Sequence, residues 1–167
     1  MACSSRKLSA SDGGGKAKVS LSWEEEWWYW SFMILGIGID LVCISKYQKD
    51  LLEDDPTQYL SSHFSLDEIE IVEARHHKNK AELYASRWAA KEAFIKAING
   101  ADLHQEKLWM GWVDFKEIEV LSDAHERPYL NLKGKVKEAA DARNVKRMHL
   151  SFSHEADYAT AIVILET

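Results

Sequence analysis

The chain has 167 residues and a net charge of −6, from 21 basic and 27 acidic side chains, which argues against nonspecific binding to nucleic acid. Its 46% hydrophobic and 29% charged residues describe a soluble globular protein with one core, not a disordered chain. Two cysteines, Cys3 and Cys43, cannot build a disulfide framework or a four-cysteine zinc site, and so few suit a reducing, cytoplasmic setting.

The front of the chain differs from the rest. The run Ser9 to Gly15 is linker-like, small and polar. Glu24-Glu25-Glu26 then precede Trp27, Trp28, Tyr29 and Trp30. The apolar stretch 27–39 is too short for a membrane-spanning helix, and it lacks the basic flank and cleavage site of a signal peptide. Residues 1–32 therefore read as an extension of unknown role, and 33–167 as the functional domain. If the extension is a targeting remnant, the compartment becomes an organelle lumen.

Ile34 to Ile39 reads as a buried strand ending at Asp40. Phe64-Ser65-Leu66-Asp67-Glu68 opens a helix, with Ser65 and Glu68 spaced as a capping box. Asn79 and Glu82 repeat that spacing before a long helix through Ile98, which Asn99-Gly100 is placed to stop in a left-handed cap. Strands follow at Phe115–Leu121, Pro128–Leu132, Arg147–Ser153 and Tyr158–Leu165, with a helix at Gly134–Arg143. This order predicts an α+β fold, a mostly antiparallel sheet packed against a long central helix. Gly36-x-Gly38 lacks the third glycine of a dinucleotide fingerprint, and no Walker loop is present. Bound phosphates would have to be held by a metal ion and by side chains.

Three groups of residues suit chemistry. On the long helix, Glu92 and Lys96 share one face, and Arg87 and Lys91 share another about 100° round. Taken alone, Glu92 and Lys96 describe an ordinary solvated pair. Asp40 is either the N-cap of a helix after the first strand or, with Glu92, one of two carboxylates for Mg2+, an ion satisfied by few protein oxygens plus water and phosphate. His149, Ser151 and Ser153 alternate along one side of a strand that ends at His154. They form either a plain polar face or a set of donors for phosphate. His76-His77 adjoin Arg75, Lys78 and Lys80, a basic surface loop.

Together these segments resemble the holo-[acyl-carrier-protein] synthases, the short group of 4′-phosphopantetheinyl transferases. Gly36-Ile37-Gly38-Ile39-Asp40-Leu41 is similar to that family's opening motif, and Phe64-Ser65-x-x-Glu68 to its second. Arg87-Trp88-Ala89-Ala90-Lys91-Glu92-Ala93 with Lys96-Ala97 is similar to its central signature. Pro128 with Leu132-x-Gly134, then Leu150-Ser151-x-Ser153-His154 with Tyr158-Ala159, complete five motifs in the family's order.

The resemblance implies transfer of phosphopantetheine from coenzyme A to a serine of apo-acyl carrier protein, with release of adenosine 3′,5′-bisphosphate. It implies Mg2+ on Asp40 and Glu92, Lys96 on the pyrophosphate as a catalytic residue with Glu92, and Arg87, Lys96, Ser153 and His154 around coenzyme A. It further implies a homotrimer with active sites between subunits. Docking of an acidic carrier would fall to Lys46, Lys49, Arg75 and Lys78; no membrane or nucleic-acid partner is implied. The sequence departs from the family in having Asn99 where a glycine is usual, a longer loop from Ala101 to Gly111, and Glu126 where a glycine often precedes the proline. Lys46 stands at a position typical of a docking arginine. Two other readings use the same residues: a non-catalytic trimeric scaffold, and a Mg2+-dependent coenzyme A pyrophosphatase.

Overall fold

The computed structural model describes residues 33–53, 55–101 and 113–167. The expectations for residues 1–32 and for the loop after Ala101 lie outside these residues. The elements run β1 (Ile34–Cys43), α1 (Ile44–Glu53), α2 (Pro56–His63), α3 (Leu66–Glu73), α4 (Lys80–Gly100), a 3-10 turn at Phe115–Glu117, β2 (Ile118–Ser122), β3 (Pro128–Leu132), α5 (Gly134–Ala142), β4 (Arg147–Glu155) and β5 (Tyr158–Glu166). Among the described residues every strand pairing is antiparallel, as expected, but the strands form two sheets, β1-β5-β4 and β2-β3.

The long helix α4 is buried on most of its circumference, the behaviour of a helix at the centre of a core. Ala89, Ala93 and Ala97 are fully buried against the inner face of the first sheet, from which Ala161, Val163 and Leu165 point back. The two glycines of the opening motif serve this contact: a Cβ on Gly36 would overlap the Ala97 carbonyl, and one on Gly38 the Ala93 carbonyl. Bare backbone on both sides lets β1 lie directly on α4.

Four local expectations change. Strand β1 passes through Asp40 to Cys43, so Asp40 caps no helix. That service comes from Asp157 in the β4–β5 turn, whose carboxylate accepts from the Ser45 amide at 2.8 Å and whose backbone carbonyl accepts from the Ile44 amide at 2.8 Å. Residues 115–117 form a 3-10 turn, not strand, because the Asp114 side chain accepts from the Lys116 amide. Helix α4 continues through Gly100 and ends at Ala101 with φ −70°, so Asn99 and Gly100 make no left-handed cap. Helix α2 was not expected; it is short, buries no residue fully, and starts on Asp55 as N-cap with Pro56 in its first turn.

The Ser65–Glu68 capping box is present, and its glutamate does more than cap. Glu68 is wholly buried and accepts from the Ser65 amide (2.9 Å), the Val120 amide (3.0 Å) and Lys91 Nζ (2.8 Å). Lys91, also wholly buried, gives its other hydrogen bonds to the Phe115 and Ile118 carbonyls, both at 2.7 Å. This polar knot ties α3, α4 and β2 together with every ammonium donor used. Replacing Lys91 by methionine leaves the buried Glu68 carboxylate without its counter-charge and takes a donor from two carbonyls, and is expected to cost about 3–5 kcal/mol of stability, read by urea denaturation. A loss below about 1 kcal/mol would show that the knot is not needed for folding.

Candidate active site

Asp40 sits on the inner face of β1, in register with Ala161 of β5 and, through it, with Phe152 of β4. Only 7% of it is exposed. One oxygen, Oδ1, accepts from Lys96 Nζ at 2.6 Å; the other, Oδ2, is buried without a hydrogen-bond partner. Glu92, on the adjoining surface of α4, has its carboxyl pushed above the usual range, first by burial, then by the negative charge of Asp40 and by a hydrogen bond shared with the Asp40 carboxyl, with Lys96 and the Trp88 indole opposing. The expected solvated Glu92–Lys96 pair is thus replaced by a cluster of three, in which the lysine turns to the more deeply buried acid. The close approach of β1 to α4 brings it about: Gly38 lies two residues before Asp40, and Ala93 and Ala97 follow Glu92 and Lys96 directly.

Two neighbouring carboxylates and an oxygen without a donor make a site short of positive charge. Among the described residues no group of three or more His, Cys, Asp or Glu side chains is placed to hold a metal. The two carboxylates supply hard oxygen ligands only, which fits Mg2+ completed by water and substrate phosphate and does not fit zinc. Lys96 is half exposed, at 53% of its side chain, so its ammonium can reach an anion arriving from solvent.

The other predicted residues are spread around this centre. Ser153 and His154 line an open cleft of about 450 Å3 with Leu41, Tyr158 and Thr160, and the Thr160 hydroxyl donates to the Asp40 carbonyl at 2.8 Å. His149, Ser151 and Ser153 do share the outer face of β4, but His154 points to the opposite, helix-facing side, where its Nε2 lies 3.2 Å from Glu82 on α4. Glu82 therefore completes no capping box with Asn79, which caps α4 alone through the Ala81 amide. Arg87 is 2% exposed; its Nη1 donates to the Leu83 carbonyl at 3.1 Å while its Nε has no partner, and burial pushes its pKa down. Lys46, Lys49 and Lys78 are exposed, whereas Arg75 is half-buried and lies 3.6 Å from Glu126. That glutamate has φ 60°, the left-handed conformation for which a glycine is usual at this position. Lys80 bonds the Val72 and Glu73 carbonyls and so closes the end of α3.

Trp88 and Glu82 were missed as neighbours of these residues. The i,i+4 spacing of Trp88 to Glu92 carried a signal for the first; nothing local carried one for the second.

Residues 36–163 match the family model described as the 4′-phosphopantetheinyl transferase superfamily. The holo-[acyl-carrier-protein] synthase of Syntrophus aciditrophicus is 40% identical over 134 residues, covering 80% of this chain and 97% of that protein. That of Halothermothrix orenii is 35% identical, covering 80% and 98%. Among solved structures, the ACPS-CoA complex of Chronobacterium ammoniagenes aligns with a TM-score of 0.68 and 36% identity over 78% of this chain and 95% of that one. The Helicobacter pylori holo-[acyl-carrier-protein] synthase in complex with coenzyme A aligns with a TM-score of 0.61 and 27% identity, over 77% and 98%. The family match spans the strand that carries Asp40 and the helix that carries Glu92 and Lys96, and the chain belongs to the 4′-phosphopantetheinyl transferase superfamily.

Proposed function

We propose that this chain is a holo-[acyl-carrier-protein] synthase: it moves 4′-phosphopantetheine from coenzyme A to a serine of apo-acyl carrier protein. The serine hydroxyl attacks the pantetheine-side phosphorus and gives its proton to a base at the site, the bond from that phosphorus to the bridging oxygen breaks, and adenosine 3′,5′-bisphosphate leaves. The observation that carries the reading is the cluster of Asp40, Glu92 and Lys96, with its donorless buried oxygen. Phosphoryl transfer asks for charge neutralisation and alignment more than for covalent help from the protein.

Asp40 and Glu92 would hold Mg2+, which when bound neutralises charge on the pyrophosphate. Lys96 then exchanges its contact with Asp40 for the pyrophosphate oxygens and stabilises the charge that grows on the leaving side. His154 and Ser153 line the cleft beside Leu41 and suit the rest of coenzyme A; Arg87, buried with Nη1 on the Leu83 carbonyl, joins them only by leaving that contact. We assign this activity to residues 33–167 and to a cytoplasm-like compartment. Mixing the protein with coenzyme A, Mg2+ and an apo-carrier and weighing the carrier tests the reading. A gain equal to phosphopantetheine supports it, and coenzyme A cleaved without a carrier favours the pyrophosphatase instead.

Assembly as a homotrimer fits the outer face of the first sheet. Ile37, Ile39 and Leu41 of β1 are 55–64% exposed, and Ile162 of β5 lies beside Ile39 in register. A sheet face this apolar is one that a second copy should cover.

The carrier is acidic in this family and the chain itself stands at −6, so encounter needs a local basic face. Lys46 and Lys49 on α1, with Lys78 and Arg75 before α4, form our candidate; Arg75 enters it only by leaving Glu126. Lys46→Glu is expected to raise KM for the carrier with coenzyme A affinity unchanged, and added salt should weaken the wild type more than this variant. An unchanged carrier KM in this variant and in an Arg75→Glu/Lys78→Glu double variant would move docking elsewhere.

A further inference from the structure

Lys96 passes over the acid nearest to it in the chain. Glu92 stands one turn away on the same face of α4, yet Lys96 Nζ donates to Asp40 Oδ1 at 2.6 Å. The two partners differ in freedom. Asp40 is buried on a strand, while the lysine side chain is 53% exposed, so most of it stays in water and only its head enters the acidic corner. The match there is incomplete. The ammonium meets Oδ1 while Oδ2 stays buried, and half-buried Glu92 adds a second carboxyl beside it. One single charge thus serves two acids, where a divalent ion brings the charge of both. Ammonium and divalent ion at one carboxylate repel each other, so the site favours one or the other.

We propose that Lys96 is a place-holder for the cation: its ammonium competes with Mg2+ for Asp40 until the pyrophosphate of coenzyme A draws it away, so that the site takes metal and substrate together. This rests on the reading of Asp40 and Glu92 as the metal pair. The exchange asks little of the fold, because an exposed stem lets the head turn outward while β1 and α4 stay in place. Letting go of Asp40 costs little, since a contact half open to solvent is worth little by itself. The metal gains more, because a unit charge taken from beside a doubly charged ion counts twice. Linkage then requires metal and coenzyme A to raise each other's affinity, with part of that coupling carried by Lys96 and the rest by the pyrophosphate oxygens.

Calorimetric titration of the full-length protein with Mg2+, alone and with saturating coenzyme A, reads this without turnover, since no carrier is present. Without coenzyme A, Lys96→Met is expected to bind Mg2+ about tenfold more tightly than the wild type. Coenzyme A should then improve Mg2+ affinity by a smaller factor in this variant than in the wild type. Lys96→Arg keeps the charge and should stay close to the wild type, which separates competition by charge from a change in packing. Equal Mg2+ affinity in wild type and Lys96→Met would overturn the proposal and leave the metal reading standing. A tightening that Lys96→Arg shows to the same degree would do the same. Absence of Mg2+ binding in all three proteins, with and without coenzyme A, would remove the metal pair and the proposal together. Should Lys96→Met not fold, Lys96→Gln removes the same charge and is read by the same outcomes.

Discussion

Asp40→Asn is expected to leave a folded protein that no longer turns over. The amide keeps the shape of the carboxylate on β1 and removes its charge, so Glu92 loses its repelling neighbour while the site loses half of its anionic oxygens. Relief of a like-charge pair outweighs the lost ion pair with half-exposed Lys96, a surface-type contact worth little, so the thermal midpoint should match or exceed that of the wild type. Activity should fall on the order of a thousandfold, the scale of losing several kcal/mol of charge stabilisation in the transition state. Calorimetric titration with Mg2+ alongside rate and melting measurements separates the two effects. Wild-type turnover in this variant would end the two-carboxylate reading, whatever its stability.

Gly38→Ala should have the largest effect on the fold. The added methyl meets the Ala93 carbonyl and the Ala97 amide nitrogen, backbone atoms on the buried side of a helix held at the centre of the core. As main-chain atoms neither can rotate away, whichever sides of α4 are exposed, so β1 has to lift from α4, and the cost falls at the upper end of overpacking, about 3 kcal/mol. The thermal midpoint should drop by about 10 °C. Since Asp40 is two residues further along the lifted strand, turnover measured well below the new midpoint should fall too. A methyl accepted with no change in midpoint would mean that strand and helix stand further apart than described.

Much of this protein is written locally in its residues. Ser65 and Glu68 announce the start of α3 because a capping box needs only four consecutive residues. Pro128–Leu132 was placed to the residue, since a short apolar run bounded by turn residues has few other solutions. The residues of the proposed site were legible from motif order, though not their arrangement. Sequence spacing paired Lys96 with Glu92, four residues away on the same helix; the fold pairs it with Asp40, a buried acid from a strand 56 positions away. Spacing made Arg87 and Lys91 one more face of a helix, yet both are buried, and Lys91 finds Glu68 and two carbonyls that no local pattern connects to it. The glycines of the first motif fell within an expected strand with no purpose that neighbouring residues could reveal, and their use is to let a helix touch that strand. The stop expected at Asn99-Gly100 failed as well: α4 keeps helical backbone through Gly100, so the intrinsic preference of Asn-Gly for a left-handed cap did not decide the end of the helix. Caps, strand periods and motif order depend on neighbours in the chain, and the residues alone determine them. Which charges meet, which stay buried and where Asp40 points depend on β1 lying against α4, a long-range contact that only the tertiary structure decides.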